Sequence, residues 1–218
     1  MFEVLKGIKG LLFDCYQTLI DISTDEESLS TYESCSSWLR SHGIEITPQD
    51  LKNEYKWRCD VELRYAGGLF PEFKVENVFR QICRQHSFNG CDYDEVGKDA
   101  SRAFRSASLR RFKSIPKSVD LLEMFSNLPM GIISNGQRVY SEDEVNRLRL
   151  SSYFRFIIFS SDMGFRKPDY RIFHEGARRL AMKPEEIILI GDSWDADINP
   201  ARALGMKAMH VQEAWGVL

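Results

Sequence analysis

The sequence predicts an α/β protein, a doubly wound parallel sheet that carries an inserted helical segment. Three observations lead there. Short runs that are apolar throughout recur along the chain: "GLLFD" at 10–14, "MGIIS" at 130–134, "FIIFS" at 156–160, "IILIG" at 187–191 and "KAMHV" at 207–211. Continuous rather than alternating apolar character is expected of parallel strands covered on both faces. Helical patterns separate the runs, as in an open sheet wound in both directions. The rhythm breaks only between residues 21 and 112.

Taken in order, the first run ends abruptly on a carboxylate, Asp14. Residues 21–112 show no strand-like run but several helical patterns, one opening at "TPQD" with Thr47 as N-cap and Pro48 at the first helical position. This block is expected to form a helical cap subdomain over the end of the sheet. Residues 1–20 and 113–218 then form the core domain, with a substrate cleft between the two. After the second run, Ser141 followed by Glu144 reads as a capping box. Further on, Phe173, Ala177, Leu180 and Ala181 share one helical face.

Composition narrows the function. At 218 residues the chain can bury one good core and a smaller subdomain. A net charge of −3 argues against a nucleic-acid footprint. No apolar stretch approaches the ~20 residues of a membrane span. "MFEVLKGIKG" lacks the apolar core of a signal peptide, so a cytoplasmic protein is expected. Five cysteines at irregular spacings suit a reducing compartment. Cys83, His86 and Cys91 lie close together, but no paired CxxC accompanies them; they read as residues of a helical layer.

Four polar clusters fall where strands stop: Asp14 with Thr18, "SNG" at 134–136, "RKPD" at 166–169 and "GDSWDAD" at 191–197. Any one of them can be a helix cap, and Lys167 alone can be a solvated lysine. Four at the same end of successive strands converge on one crevice of a parallel sheet.

In "LLFDCYQTL", "GIISNG", "GFRKPDYRIF" and "LIGDSWDADINPARALGM" the chain resembles the haloacid dehalogenase superfamily of aspartate-nucleophile hydrolases, with a Rossmann-like core and a helical cap. The resemblance implies that Asp14 is the nucleophile, with Thr18 supporting its loop. Ser134 and the Asn135 backbone would bind the transferring group, Gly136 would support them, and Lys167 would hold that group beside Asp14. Magnesium would be held by Asp14, the Tyr16 backbone carbonyl and Asp192, with Asp197 in support. The physics agrees. Asp14 attacking a phosphate dianion is anion meeting anion, so cations and hydrogen-bond donors must screen the encounter.

Position 16 departs from the phosphatase pattern, in which a second aspartate two residues after the nucleophile protonates the leaving alcohol. Dehalogenases carry tyrosine there, since halide leaves without a proton. Gln17 also replaces the usual glycine. The fourth cluster points the other way. Asp14, Asp192 and Asp197 against Lys167 leave about −2 in one crevice, which a divalent cation neutralises and an anionic haloacid worsens. The expected activity is therefore magnesium-dependent phosphomonoester hydrolysis through an aspartyl-phosphate, on a small anionic substrate. The alternatives are a metal-independent 2-haloacid dehalogenase, with Arg58 of "KWRCDVELRY" receiving halide, and a non-catalytic binding protein. The basic run "RRFKSIPK" at 110–117 reads as a solvated face.

Overall fold

The computed structural model describes residues 6–88 and 90–216. Its centre is a five-stranded parallel sheet of β1 (Gly10–Phe13), β4 (Met130–Ser134), β5 (Phe156–Phe159), β6 (Ile187–Gly191) and β7 (Lys207–His210), in the order β5-β4-β1-β6-β7. Each expected apolar run is a strand. β1 takes the central place, with Leu11 opposite Met130 of β4 on one side and Ile188 of β6 on the other.

Alternation of side chains divides the sheet between two cores. Leu11 and Phe13 pack with Ile132, Ile188 and Ile190 on one face. Leu12 packs with Ile133, Ile158 and Leu189 on the other, under helix α8 (Tyr170–Leu180). Burying one such aliphatic side chain stabilises the fold by about 1.5–3 kcal/mol. The expected α8 face is present in Phe173, Ala177 and Leu180, all buried. Ala181 is not part of it. It is exposed and left-handed at φ 56°, because it ends the helix as its C-cap.

Between β1 and β4 the chain departs from expectation in one respect. Residues 21–112 were expected to hold no strand, yet β2 (Ile20–Thr24) and β3 (Leu109–Ser114) form an antiparallel ladder. The expected boundaries at 20/21 and 112/113 pass through it. Only one face of this ladder is covered, so its strands alternate instead of running apolar: Ile20 and Ile22 point inward, while Arg110, Arg111 and Lys113 stay exposed.

Helices α1 (Leu29–Ser41), α2 (Pro48–Ala66), α3 (Val75–His86) and α4 (Tyr93–Ser108) lie between β2 and β3. Thr47 caps α2 as expected, its hydroxyl accepting from the Asp50 amide at 3.2 Å. The four helices enclose a core of their own around Tyr32, Leu51, Phe79 and Phe104, with Cys35 and Cys83 inside it. Two seams join them to the sheet. At one, the Arg166 amide donates to Phe70 O at 3.0 Å and Ser160 Oγ donates to Glu72 at 2.8 Å. At the other, Arg105 of α4 pairs with Glu144 at 2.7 Å. No helix among the described residues is long and apolar enough to cross a membrane.

Candidate active site

β1 sits between β4 and β6, so the residues that leave these strands meet at one edge. The Asp14 amide still donates to Ile190 O at 2.9 Å, which holds its carboxyl level with the end of β6. Ser134 is the last residue of β4, and Asp192 follows Gly191, the last of β6. Lys167 is only 3% exposed. Its Nζ donates to Asp14 Oδ1 at 2.5 Å and to Asp197 Oδ1 at 2.7 Å.

Two local features aim that lysine. The Asn135 side chain grips the Lys167 backbone from both sides, donating from Nδ2 to its carbonyl at 3.0 Å and accepting its amide at 2.7 Å. Asp197 accepts the Ser193 amide on its second oxygen at 3.1 Å. Its carboxyl packs against Gly191, where an added Cβ would come within 2.6 Å of it. Gly136 is similarly confined: a Cβ there would lie 3.0 Å from Ser141 Oγ and 3.1 Å from Ser134 Oγ.

Asp14, Asp192 and Asp197 each offer an oxygen within 4.8 Å of the others, the one group of three metal-capable side chains among the described residues. Cys83, His86 and Cys91 make no such group; His86 contacts Glu54 at 2.7 Å instead. Burial pushes all three aspartates above the ordinary carboxylate range. Burial also opposes the charge of Lys167, but Asp14 and Asp197 outweigh it and hold the ammonium above its usual range. Two hydroxyls at this edge, Thr18 Oγ1 and Ser134 Oγ, are buried with no hydrogen-bond partner. Unpaired buried donors are costly, and here one lies on the loop that carries Asp14 and the other at the end of the neighbouring strand β4.

Tyr16 does not place its hydroxyl among these groups. Its oxygen lies 2.6 Å from Ser141 Oγ and 2.6 Å from Glu144 Oε2. The expected capping box of Ser141 and Glu144 is thus absent. Helix α6 (Arg138–Arg147) starts three residues before Ser141, with Gln137 at its N-cap. Both residues lie inside the helix, on the face that receives the tyrosine hydroxyl. Ser141, Glu144 and Arg105, together with the clamp role of the Asn135 side chain, went unrecognised in the sequence. The one available signal was an acidic residue at helical spacing from a serine in an otherwise polar helix.

The family described as haloacid dehalogenase-like hydrolase matches residues 68–211, which include three of the four polar clusters. The chain belongs to it. A glyceraldehyde 3-phosphate phosphatase of Methanocaldococcus jannaschii is 33% identical over 94% of this chain and 85% of its own length. An (S)-2-haloacid dehalogenase of Pseudomonas fluorescens is 28% identical over 88% of this chain and 80% of its own. Among solved structures, a haloacid dehalogenase family enzyme of Bacteroides thetaiotaomicron, in complex with magnesium and inorganic phosphate, shares the fold. Its TM-score is 0.57 at 20% identity, over 93% of both chains.

As a haloacid dehalogenase-like hydrolase, the chain thus resembles phosphatases and dehalogenases together. Arg58, the residue expected to receive halide, is 11% exposed in its side chain and held by α2 and α3: it bonds Glu54 at 2.7 Å, Gln81 at 2.6 Å and Gln85 at 2.6 Å. Asp195 is exposed. Beside Asp192 lies a cleft of about 600 Å³ that runs between the β2–β3 ladder and the end of β7.

Proposed function

We propose that this chain is a magnesium-assisted phosphatase acting through an aspartyl-phosphate on Asp14. The observation that carries the reading is the charge at the strand ends. Three carboxylates offer oxygens within 4.8 Å of one another and two of them, Asp14 and Asp197, hold the one ammonium, an excess of about two negative charges that a divalent cation balances and a haloacid anion aggravates. The donor set is all oxygen, which suits magnesium. Asp14 and Asp192 would hold the ion with the Tyr16 backbone carbonyl. When bound, it would supply charge neutralisation at the transferring phosphate. The magnesium and phosphate of the Bacteroides thetaiotaomicron enzyme support the same reading.

The chain's own residues do the rest. Asp14 attacks phosphorus. Lys167, anchored by Asn135, offers its remaining hydrogen-bonding capacity to the phosphate oxygens, and Thr18 and Ser134 supply the unpaired hydroxyls. Asp197 fixes Lys167 from behind. Residues 21–112 act as the cap, and the four free cysteines buried or half-buried beyond the site, with Cys15, fit a cytoplasmic location. Tyr16 is the observation that favours a second reading, metal-independent dehalogenation of a 2-haloacid through an ester on Asp14. Arg58 opposes it, being committed to three partners.

A panel of phosphate esters and 2-haloacids, assayed with and without magnesium, separates the readings. Phosphate release that disappears in chelator is expected. Halide release that persists in chelator would replace the phosphatase reading with the dehalogenase, and no turnover of either kind would leave a binding protein.

A further inference from the structure

A departing alkoxide needs a proton, whereas an oxygen that is stable as an anion does not. Thr18 and Ser134 beside Asp14 are unpaired alcohols, no stronger as acids than the alcohol that would leave, and the more acidic donors there are all engaged. The Lys167 ammonium is shared between Asp14 and Asp197. Tyr16 has one phenolic proton, and the Glu144 carboxylate, paired with Arg105, can only accept it; Ser141 must then donate to the phenolic oxygen. His210 accepts the Gln212 amide on Nδ1 at 3.3 Å, so its proton lies on Nε2 and is donated to Asp192 O at 2.8 Å. Cys15 is fully buried in the core. At the lip of the cleft, Arg111 and Lys113 both face Asp21, at 2.7 and 3.6 Å.

The cleft itself supplies a second, independent observation. It begins at Gln17, on the loop that carries Asp14, and at Asp192, on the loop after β6, and one wall is apolar, made of Ile115, Pro116, Val211 and Trp215. The indole of Trp215 is fixed by its N–H, which donates to Ser118 Oγ at 2.9 Å. Such a wall receives a planar ring or a short acyl group better than a hydrated polyol.

We propose that the substrates are phosphates whose leaving group departs as a stable anion, aryl or acyl phosphates, with the organic part against the Trp215 wall. This rests on the phosphoryl-transfer reading above. An Asp14 oxygen forms the new bond to phosphorus, and the bond from phosphorus to the leaving oxygen breaks with its electron pair, releasing a phenolate or carboxylate. Water then attacks phosphorus, the bond to Asp14 breaks, and the carboxylate is regenerated with inorganic phosphate. The proton released from water goes to solvent or to the departed anion. Glyceraldehyde 3-phosphate, the substrate in the relatives' name, is an alkyl phosphate and belongs to the disfavoured class.

The test is kcat/KM with magnesium for 4-nitrophenyl, phenyl and acetyl phosphate against glycerol phosphate and glyceraldehyde 3-phosphate. We expect a steep fall along the aryl series as the leaving group becomes more basic. The alkyl phosphates should fall lower still, by about 10²–10⁴-fold, the usual worth of a positioned acid. Tyr16→Phe should leave the ratio of aryl to alkyl turnover unchanged, whatever it does to the absolute rate. Trp215→Leu should raise KM for phenyl phosphate more than for acetyl phosphate. Alkyl phosphates turned over as fast as 4-nitrophenyl phosphate would overturn the proposal, as would a Tyr16→Phe enzyme that loses alkyl turnover selectively. Failure on every phosphate, 4-nitrophenyl phosphate included, would strike the underlying phosphatase reading instead.

Discussion

Tyr16, two residues beyond the candidate nucleophile, holds Glu144 of α6 through a 2.6 Å hydrogen bond. Glu144 in turn holds Arg105 of α4, its Oε1 accepting from Nε at 2.7 Å, and the guanidinium lies 5.5 Å from the Tyr16 ring centre. The loop that carries Asp14 is thereby tied to the inserted helices through one buried carboxylate.

That tie has a measurable strength. Tyr16→Phe removes one partner of Glu144 but leaves the ion pair, and a loss of about 1–3 kcal/mol in unfolding free energy is expected. Glu144→Ala leaves Arg105 without its close carboxylate in a setting where both side chains are nearly buried, 11% and 7% exposed, so about 3–5 kcal/mol is expected. Denaturant unfolding of the two single variants and the double variant gives the coupling between them. Additive losses would mean that the bond between Tyr16 and Glu144 contributes nothing to stability.

This network also marks where the sequence stops being legible. The strands announced themselves because a strand buried on both faces must be apolar throughout, and the strand-end polar clusters followed from the direction of a parallel sheet. Lys167, Asp14 and Asp197 could be brought together on that basis although Lys167 lies 153 residues from Asp14. The β2–β3 ladder was hidden because one exposed face gives it the composition of a loop. Ser141 and Glu144 were misread because a serine and a glutamate three residues apart look alike at a helix start and on a buried helical face. Only the tyrosine 125 residues away distinguishes the two.

Asp14→Asn is expected to fold and to lose turnover by several orders of magnitude, since an amide is a poor nucleophile and the covalent step is removed. Burst and steady-state assays, with thermal melting as the control for folding, check it. Normal turnover in this variant would remove Asp14 from the chemistry.

Gly191→Ala is expected to act on Lys167 without touching it. The new Cβ would stand 2.6 Å from the Asp197 carboxyl, which must shift, and Asp197 is one of the two groups that place the Lys167 ammonium. A displacement of about 1 Å in a catalytic group can cost ~10²-fold in rate. The expected signature is a fall in kcat larger than the rise in KM, with the sheet intact by circular dichroism. A fully active Gly191→Ala enzyme would mean that Asp197 does not position the lysine.

Asp192→Asn separates the electrostatic cost of the acidic cluster from its use. Burial raises the pKa of Asp14, Asp192 and Asp197, and the charge of Asp197 adds to the effect at Asp192. The folded protein therefore holds protons on these groups more tightly than the unfolded chain does. Their contribution to stability is fully present below the ordinary carboxylate pKa of about 3.9 and is lost as pH rises through the raised values. At neutral pH without metal, the ionised cluster destabilises the fold, and removing one charge should relieve it. Asp192 is partly exposed and makes no ion pair with Lys167, so solvent screening holds the gain to about 1 kcal/mol, or about 2–4 °C in Tm. Melting curves in chelator should thus place Asp192→Asn above the wild type at pH 7, with the gap closing toward pH 4. Magnesium should reverse the order, stabilising the wild type by mass action and the variant far less. A wild type unaffected by magnesium, together with a variant that melts lower in chelator at every pH, would show that Asp192 is a structural carboxylate rather than a metal ligand.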